Sequence, residues 1–390
     1  MASILDRPIS QWAGMEYSCA CGKSHKVDIQ AIRVGSGVIQ ELPGILRDLG
    51  ASHIFLVTDN YTYEAAGRQV EQLLDQAGLS YHKRVFQTET PLVPNEYALG
   101  SVLAAMTSQD DMLLAVGSGT LNDVTKYVSA RTGMPYVIAA TAPSMDGYAS
   151  TVAPTILDGF KTTLPAVYPA AIVADVGILK DAPMPMLTAG FGDIIGKFTS
   201  LADWRLSHQL NGEYYCPEVA GVIEAAVETC AANAKALAQR EPQAIQAVTE
   251  ALILSGLAMG MVGVSRPASG AEHQMAHYWE MDALRRGEEH PLHGNAVGAS
   301  AVIAASLYEL AAAELPQGFT PPDKARIVAC LRDAGAAASP KELGIRRDLC
   351  MEALMHAMEL RDRFTILRFL DSKGELAACA LELTNRFYGT

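Results

Sequence analysis

Residues 111–123, Asp111-Met-Leu-Leu-Ala-Val-Gly-Ser-Gly-Thr-Leu-Asn-Asp123, decide the fold of this chain. An apolar run typical of a buried strand leads directly into Gly117-Ser-Gly119, and a helical pattern follows from about Leu121 to Thr132. Small residues at such a turn let a phosphate approach the backbone, and the helix start offers free N–H groups and a favourable dipole. The G-x-G-x-x-G fingerprint is absent, because position 122 is Asn and no third glycine follows. The stretch therefore predicts either a nucleotide-binding turn or only a tight strand-to-helix connection.

Strand and helix patterns alternate on both sides of this stretch. His53–Thr58 and Tyr136–Ala140 are short apolar runs rich in branched residues, and a helical pattern from about Tyr63 to Ala77 ends near Gly78. This rhythm predicts a parallel sheet covered by helices.

The second half of the chain has a different pattern, because strand signals nearly vanish from about Pro185. Long helical segments rich in Ala and Leu replace them, at Pro217–Gln239, Ala244–Val264, Ala296–Glu314 and Leu349–Phe369. A chain of 390 residues is also too long for one compact core. We therefore expect an α/β, Rossmann-like dinucleotide-binding domain over residues 1–180 and an all-helical domain over 181–390 that binds metal and substrate, with a cleft between them.

The composition excludes several classes of protein. Hydrophobic residues make up 49% of the chain and charged residues 19%, which argues against disorder. A net charge of −13 and the lack of a basic run disfavour nucleic-acid and membrane-surface partners. No signal-peptide pattern opens the chain, and the longest apolar run, Ala251–Val264, is shorter than the ~20 residues of a membrane helix. Seven scattered cysteines fit reduced thiols, so we expect a cytoplasmic protein.

Two further segments are candidates for cofactor binding. Asp59 ends a predicted strand, where a carboxylate either accepts hydrogen bonds from a ribose or merely caps a turn. A carboxylate there would favour NAD over NADP. Thr141-Ala-Pro-Ser-Met-Asp-Gly-Tyr-Ala-Ser150 follows the third strand, at the sheet edge where open α/β folds bind ligands.

Three separated segments carry the residues of a candidate metal site. Gly190-Phe-Gly-Asp-Ile-Ile-Gly-Lys197 places Asp193 at a predicted helix start, and His290-Pro-Leu-His-Gly294 precedes another helix. In Ser265-Arg-Pro-Ala-Ser-Gly-Ala-Glu-His-Gln-Met-Ala-His277, His273 and His277 are four residues apart and would share one helix face. A lone histidine is usually only packed, but four of the nine histidines lie between positions 270 and 294. One carboxylate with two or three imidazoles predicts a divalent metal site with an open position.

Cys19-Ala-Cys-Gly-Lys-Ser-His25 looks like part of a zinc knuckle. A structural zinc site needs about four ligands, and no nearby pair completes this one. Cys216 and Cys230 are far away in helical sequence. We therefore predict a β-turn at Gly22 in preference to a structural zinc site.

Taken together, these segments resemble the glycerol-1-phosphate dehydrogenases, which belong to the superfamily of iron-type alcohol dehydrogenases and dehydroquinate synthases. The resemblance extends from Ile32 to about Val302, and the Cys19–His25 segment looks like the bacterial branch. It implies a dehydroquinate synthase-like fold, a homodimer, and metal-dependent reduction of dihydroxyacetone phosphate to sn-glycerol 1-phosphate by NAD(H) or NADP(H). The product would serve lipid or related phosphoglycerol synthesis.

The resemblance also implies roles for individual residues. Metal ligands would be Asp193, His273 and His293, holding Zn²⁺ or Ni²⁺, with Fe²⁺ as a third choice. Substrate would contact Asp146, Asp193 and His277, of which Asp193 and His277 are the catalytic candidates. Location alone suggests Arg266 and Lys197 for the substrate phosphate. Dinucleotide contacts would come from Asp59, Gly117, Ser118, Gly119, Thr120, Leu121, Thr141, Ser144 and Ser150, with Ser118 replacing the middle glycine of the commoner triple-glycine form.

Three other functions stay open on the sequence. One is a glycerol-type dehydrogenase acting on an unphosphorylated polyol. Another is a non-redox cyclase like dehydroquinate synthase, although that family typically has Glu where Asp193 stands. The third is a binding protein that has lost the chemistry, which the complete set of expected ligands disfavours.

Overall fold

A parallel six-stranded sheet forms the centre of the first half of the computed structural model, which describes residues 7–389. The ends of the two predicted domains, residues 1–6 and 390, lie outside this range. The strand order is β3-β10-β7-β6-β4-β5, and short antiparallel hairpins pair β1 with β2 and β8 with β9. The strands are β1 (Glu16–Ser18), β2 (Ser24–Lys26), β3 (Ala31–Gly35), β4 (His53–Asp59), β5 (Ser80–Phe86), β6 (Met112–Gly117), β7 (Tyr136–Ala140), β8 (Val152–Leu157), β9 (Phe160–Pro165) and β10 (Ala171–Asp175).

The central strands are apolar on both faces because helices cover both sides of the sheet. In β4, Phe55 and Val57 pack into one hydrophobic core, whereas Ile54 and Leu56 pack into another on the opposite face. The predicted strands at 53–58, 111–116 and 136–140 are confirmed to within one residue at each end. The helices of this half are α1 (Leu42–Asp48), α2 (Asn60–Thr62), α3 (Arg68–Ala77), α4 (Glu96–Ala105), α5 (Gly119–Thr132) and α6 (Val176–Leu179).

The second half is helical, as predicted, but two of the expected boundaries are wrong. Asp193 lies near the end of a helix, not at its start, because Pro185 in the first turn starts that helix earlier. The predicted helix Leu349–Phe369 breaks after residue 360, where Thr365 turns its hydroxyl to the Gln274 side chain (3.0 Å) instead of continuing the helix. The helices are α7 (Met184–Ile195), α8 (Lys197–Asn211), α9 (Pro217–Ala232), α10 (Ala234–Ala238), α11 (Pro242–Val262), α12 (Ala271–Arg286), α13 (His293–Leu310), α14 (Lys324–Asp333), α15 (Arg347–His356), α16 (Ile366–Ser372) and α17 (Leu376–Tyr388).

Helix α11 is long and apolar enough to cross a membrane by length and composition alone. However, 67% of its most apolar window is buried inside the structure. Its side chains belong to the main hydrophobic core, and the helix predicted over 244–264 is present there.

Helices α7 and α13 meet backbone to backbone through glycines. A Cβ atom added at Gly294 would overlap the carbonyl oxygen of Ala189, and one added at Gly192 would overlap the carbonyl oxygen of Gly294. The crossing brings the first residue of α13, His293, next to Asp193 near the end of α7.

We expect Gly294→Ala to destabilise the protein, because the added methyl group has no space at this crossing. Overpacking of this kind costs about 1–3 kcal/mol, which urea unfolding would measure. Gly100→Ala is the matched control, since its Cβ would meet nothing within 4 Å in the middle of α4. That variant should gain about 0.5–1 kcal/mol from helix propensity. Equal unfolding free energies for the two variants would contradict the close packing.

Candidate active site

A cavity of about 670 Å³ lies between the sheet loops and the helical half of the chain. It is lined on one side by residues that follow β6 and β7, including Ser118 and Ser144, and on the other by histidines of α12 and α13. The carboxyl ends of parallel strands meet at this edge, which is where open α/β sheets bind ligands. The turn after β6, the 141–150 loop and the histidines of the predicted metal segments therefore contribute to one cavity.

Asp193, His273 and His293 come together from three different helices at the wall of this cavity, which the two histidines line while Asp193 lies buried beside them. Each offers one ligand atom, and these atoms all lie within 4.8 Å of one another. The Nε2 atom of His273 is 3.5 Å from Oδ1 of Asp193, and the His273 and His293 rings are 5.3 Å apart. One carboxylate and two imidazoles converging on a point suit a divalent metal that keeps an open position.

Two buried glutamates orient the two imidazoles. Oε1 of Glu272 accepts a hydrogen bond from Nδ1 of His273 (2.8 Å), and Oε1 of Glu280 accepts one from Nδ1 of His293 (2.7 Å). In each ring this leaves Nε2 as the metal-facing nitrogen, an arrangement typical of histidine ligands. Sequence reasoning missed Glu280, although its position seven residues after His273 on the same helix face was an available signal.

His277, Glu280 and His293 form an overlapping set with metal-ligand spacing. Glu280, however, already accepts from His293 and pairs with Lys161 of β9. The lysine and His293 outweigh burial and hold the pKa of Glu280 well below its ordinary value. We therefore interpret Glu280 as a supporting carboxylate and not as a ligand.

The Lys197 ammonium lies buried between two carboxylates. It donates to Oδ1 of Asp193 (2.6 Å), to Oδ2 of Asp146 (2.9 Å) and to the carbonyl oxygen of Ala268 (2.9 Å). Burial opposes ionisation of Asp193, but Lys197 and the hydrogen-bonded His273 outweigh it and hold the pKa of that carboxyl far below its ordinary value. Asp193 is therefore ionised at neutral pH, as a metal ligand would need to be.

The structure does not bring either predicted phosphate ligand to the cavity wall. Lys197 uses its three N–H groups on protein acceptors, as described above. Arg266 is buried, with its guanidinium paired to Glu213 (Nε to Oε1, 2.7 Å) and to the carbonyl oxygen of Phe364 (2.8 Å). Both cations are already satisfied by protein partners, so their placement corrects the expectation drawn from location in the sequence.

His277 lines the cavity one helical turn beyond His273, and its ring stacks at 5.1 Å on His293. Its Nδ1 lies 3.3 Å from Oε2 of Glu280 and 3.4 Å from Nζ of Lys161. Burial, with the nearby Lys161 charge, lowers the pKa of His277 well below its ordinary value. The ring is therefore neutral near pH 7 and keeps both a donor and an acceptor.

On the sheet side, a buried lysine holds the loop that follows β7. Nζ of Lys126 in α5 donates to Oδ1 of Asp123, to Oγ of Ser150 and to the carbonyl oxygen of Val152, each at 3.1 Å. Sequence reasoning missed Lys126, whose only signal was Asp123 three residues earlier on the same helix face. Its contacts fix Ser150 in the cavity wall.

The other predicted cofactor residues have two kinds of position. Asp59 caps α2 through the backbone N–H of Thr62 (2.7 Å), which fits the capping alternative, and it is not part of the cavity lining. Its contact with a ribose stays a prediction. The lining itself includes Ser118, Gly119, Thr120, Ser144, Asp146 and Ser150. Of the others, Gly117 ends β6, Leu121 lies at the start of α5, and Thr141 directly follows β7.

Comparison with known proteins agrees with this architecture. The family model described as iron-containing alcohol dehydrogenase matches residues 33–183. A solved structure of a 1,3-propanediol oxidoreductase superposes with a TM-score of 0.69 at 17% identity, covering 91% of this chain and 98% of that one. A probable glycerol dehydrogenase from Sinorhizobium meliloti gives a TM-score of 0.64 at 19% identity, over 90% of this chain and 97% of that one. The fold is thus that of the iron-containing alcohol dehydrogenases.

Sequence relatives narrow the assignment. The chain is 37% identical over 379 residues to glycerol-1-phosphate dehydrogenase (NAD(P)+) of Halalkalibacterium halodurans, covering 90% of this chain and 95% of that protein. It is 34% identical over 377 residues to the protein of that name from Bacillus subtilis, covering 91% and 94%. The chain belongs to the glycerol-1-phosphate dehydrogenase family.

Proposed function

We propose that this protein is a metal-dependent, NAD(P)-linked dehydrogenase that reduces dihydroxyacetone phosphate reversibly to sn-glycerol 1-phosphate. The observation that carries the proposal is the convergence of Asp193, His273 and His293 in the cavity that the Ser118–Thr120 turn also lines. The name of the relatives supports a phosphorylated three-carbon substrate.

The three ligands would hold one divalent ion, Zn²⁺ or Ni²⁺ in preference to Fe²⁺, which when bound supplies Lewis-acid polarisation of the substrate C2 oxygen. The start of α5, at Gly119 and Thr120, presents free backbone N–H groups to the dinucleotide phosphates. Asp146 would bind the substrate hydroxyl groups. The Asp146 carboxylate is held in place by hydrogen bonds from Lys197 (2.9 Å) and Ser255 (2.8 Å). Neutral His277 would donate a hydrogen bond to the substrate at the same end of the cavity.

The substrate phosphate needs a cation in the cavity wall, and Arg361 fits this need. Arg361 lines the cavity, follows the break after α15, and makes no hydrogen bond or ion pair with another residue in the range 7–389. Burial lowers its pKa, but a guanidinium stays charged at neutral pH. We therefore assign the phosphate to Arg361, with Lys161, which also lines the cavity but pairs with Glu280, as the second candidate.

We expect Arg361→Met to discriminate between phosphorylated and unphosphorylated substrates. Loss of a charge-assisted hydrogen bond of about 1.5–3 kcal/mol corresponds to about a 10- to 100-fold lower kcat/KM for dihydroxyacetone phosphate. The value for dihydroxyacetone should not change. Arg68→Met, which removes an exposed pair with Glu64 and a contact over the Tyr63 ring, serves as the control. An equal effect on both substrates would rule out a phosphate contact.

The proposed function is tested by NADH oxidation with dihydroxyacetone phosphate, using protein stripped of metal and refilled with Zn²⁺ or Ni²⁺. Metal-dependent, stoichiometric turnover that yields sn-glycerol 1-phosphate on chiral analysis supports the proposal. Faster turnover of glycerol or dihydroxyacetone would reassign the protein to the polyol dehydrogenases. Turnover of substrate without net NADH consumption would indicate a cyclase.

The proposal includes three finer expectations. Asp59 beside the adenosine ribose would favour NAD over NADP, because a carboxylate repels a 2′-phosphate. The protein would act in the cytoplasm as a homodimer. Its product would enter lipid or related phosphoglycerol synthesis.

A further inference from the structure

We propose that Cys19, Cys21, His25 and Cys216 form a second metal site, a tetrahedral Cys₃His zinc site that is separate from the candidate active site. Each residue offers one ligand atom, and the four atoms lie within 4.8 Å of one another. The cysteine-rich segment disfavoured above as a zinc site lacked only one ligand. The fold supplies it from Cys216, almost two hundred positions along the chain.

The distances between these donor atoms match those of a zinc tetrahedron. Sγ of Cys19 lies 3.7 Å from Sγ of Cys216, and Nε2 of His25 lies 3.4 Å from Sγ of Cys21 and 3.4 Å from Sγ of Cys216. Zn–S bonds of about 2.3 Å and Zn–N bonds of about 2.0–2.1 Å place two sulfurs about 3.8 Å apart and a sulfur and a nitrogen about 3.5 Å apart. The space between the four atoms therefore fits a zinc ion without rearrangement of the backbone.

Local structure fixes each ligand. Cys19 and Cys21 lie in the turn between β1 and β2, which Gly22 closes with φ of +87° and its N–H donated to the Cys19 carbonyl oxygen (3.0 Å). Cys216 is the N-cap residue of α9, held there by the following Pro217. The β-turn predicted at Gly22 is thus confirmed, and it presents the two sulfurs towards α9.

The histidine has the support that a metal ligand needs. His25 is 1% exposed, and its Nδ1 lies 2.8 Å from the carbonyl oxygen of Met261. Because a carbonyl oxygen only accepts, Nδ1 carries the proton and Nε2 presents its lone pair to the sulfurs. The Tyr214 hydroxyl, 3.1 Å from Sγ of Cys21, can donate to a thiolate there. Sγ of Cys19 donates to Oε2 of Glu218 (3.1 Å), a contact that zinc binding would replace.

Simpler explanations account for fewer of these contacts. A disulfide joins two sulfurs at about 2.05 Å and would leave the third thiol and the imidazole lone pair unused. Plain packing is illustrated by Cys230, which is buried alone with Sγ 3.5 Å from the carbonyl oxygen of Ala247. Three sulfurs and one oriented nitrogen that face a common point are the pattern of a structural zinc site.

The site would join parts of the chain that are distant in sequence. It connects the hairpin before the sheet to α9 and, through Met261, to the end of α11. Gly260 and Gly263, on either side of that end, line the active-site cavity. The ion would therefore stabilise the fold beside the cavity without contacting substrate.

Metal and thiol analysis of the full-length protein, purified under reducing conditions without chelator, tests this proposal. We expect about one thiolate-bound zinc per chain, released when a mercurial reagent modifies the thiols and retained in His273→Ala. Protein expressed in cobalt medium should show sulfur-to-cobalt charge-transfer absorption, which an Asp-His-His site cannot give. Cys216→Ser should lose this band and melt at a lower temperature, whereas Cys230→Ser should keep the band.

If Cys216→Ser does not fold, the zinc content, the thiol modification and the cobalt spectrum of the unmodified chain still test the proposed zinc site. Free titration of all thiols in the native protein without release of zinc would overturn the proposal. So would a cobalt spectrum without charge transfer, or a Cys216→Ser variant with unchanged zinc content.

Discussion

His273→Ala will remove almost all activity while the protein stays folded. The substitution deletes one of the three proposed metal ligands and leaves the Glu272 carboxylate without its imidazole partner. Lewis-acid polarisation by a bound metal contributes several kcal/mol to a transition state, so kcat/KM should fall by about 10³-fold or more. Steady-state assays with dihydroxyacetone phosphate would measure the loss of activity, and metal analysis of the same protein would measure the loss of bound metal.

Two further variants make this test specific. Glu272→Gln keeps His273 but weakens its support, and such changes typically cost about 10–100-fold in metal affinity or activity. His356→Ala removes an exposed histidine that pairs only with Glu359, and it should behave as the unmodified protein. Unchanged metal content and turnover in His273→Ala would exclude the Asp-His-His centre.

Lys197→Met is expected to give the largest loss of stability. The substitution leaves the buried Asp193 carboxylate and the partly buried Asp146 carboxylate without the ammonium that joins them. Removing one partner of a buried ion pair costs about 3–5 kcal/mol, which urea unfolding of the metal-free protein would measure. A metal-free comparison matters, because a bound cation would itself compensate Asp193.

Lys180→Met provides the comparison for a surface pair. Lys180 and Asp181 are 41% and 72% exposed, and exposed pairs contribute about 0–1 kcal/mol. A Lys197→Met loss no greater than that of Lys180→Met would contradict the structural role of the buried cation. That result would also make Lys197 a candidate ligand of the substrate phosphate again.

Much of the fold could be predicted from the sequence because burial leaves a local pattern. The apolar run before Gly117 is a strand because helices cover it on both faces, and the spacing of His273 and His277 places them on one face of α12. Both features leave a pattern among residues that are close together in the sequence. The same reasoning failed at residues 361–365, where tertiary hydrogen bonds override helical propensity.

Side-chain partners could not be predicted in the same way. The pairing of Arg266 with Glu213 and the arrival of Cys216 beside Cys19 are set by how distant segments pack, and neither leaves a periodic signal. Glu280 and Lys126 are charged side chains in the interior, and their roles depend on the groups that they contact in the folded chain. Charge and hydrogen-bonding capacity can be read from a residue, but the partner that satisfies them depends on the tertiary fold.

The glycine crossing of α7 and α13 has a consequence for how this enzyme family diverges. Because main-chain atoms are in contact there, the spacing between Asp193 and His293 does not depend on the size of the surrounding apolar side chains. The helical core can then exchange Leu, Ile and Val over evolutionary time without moving the metal ligands. New substrate preferences would arise from changes in the cavity wall, at positions such as Arg361 and Lys161, on an unchanged centre.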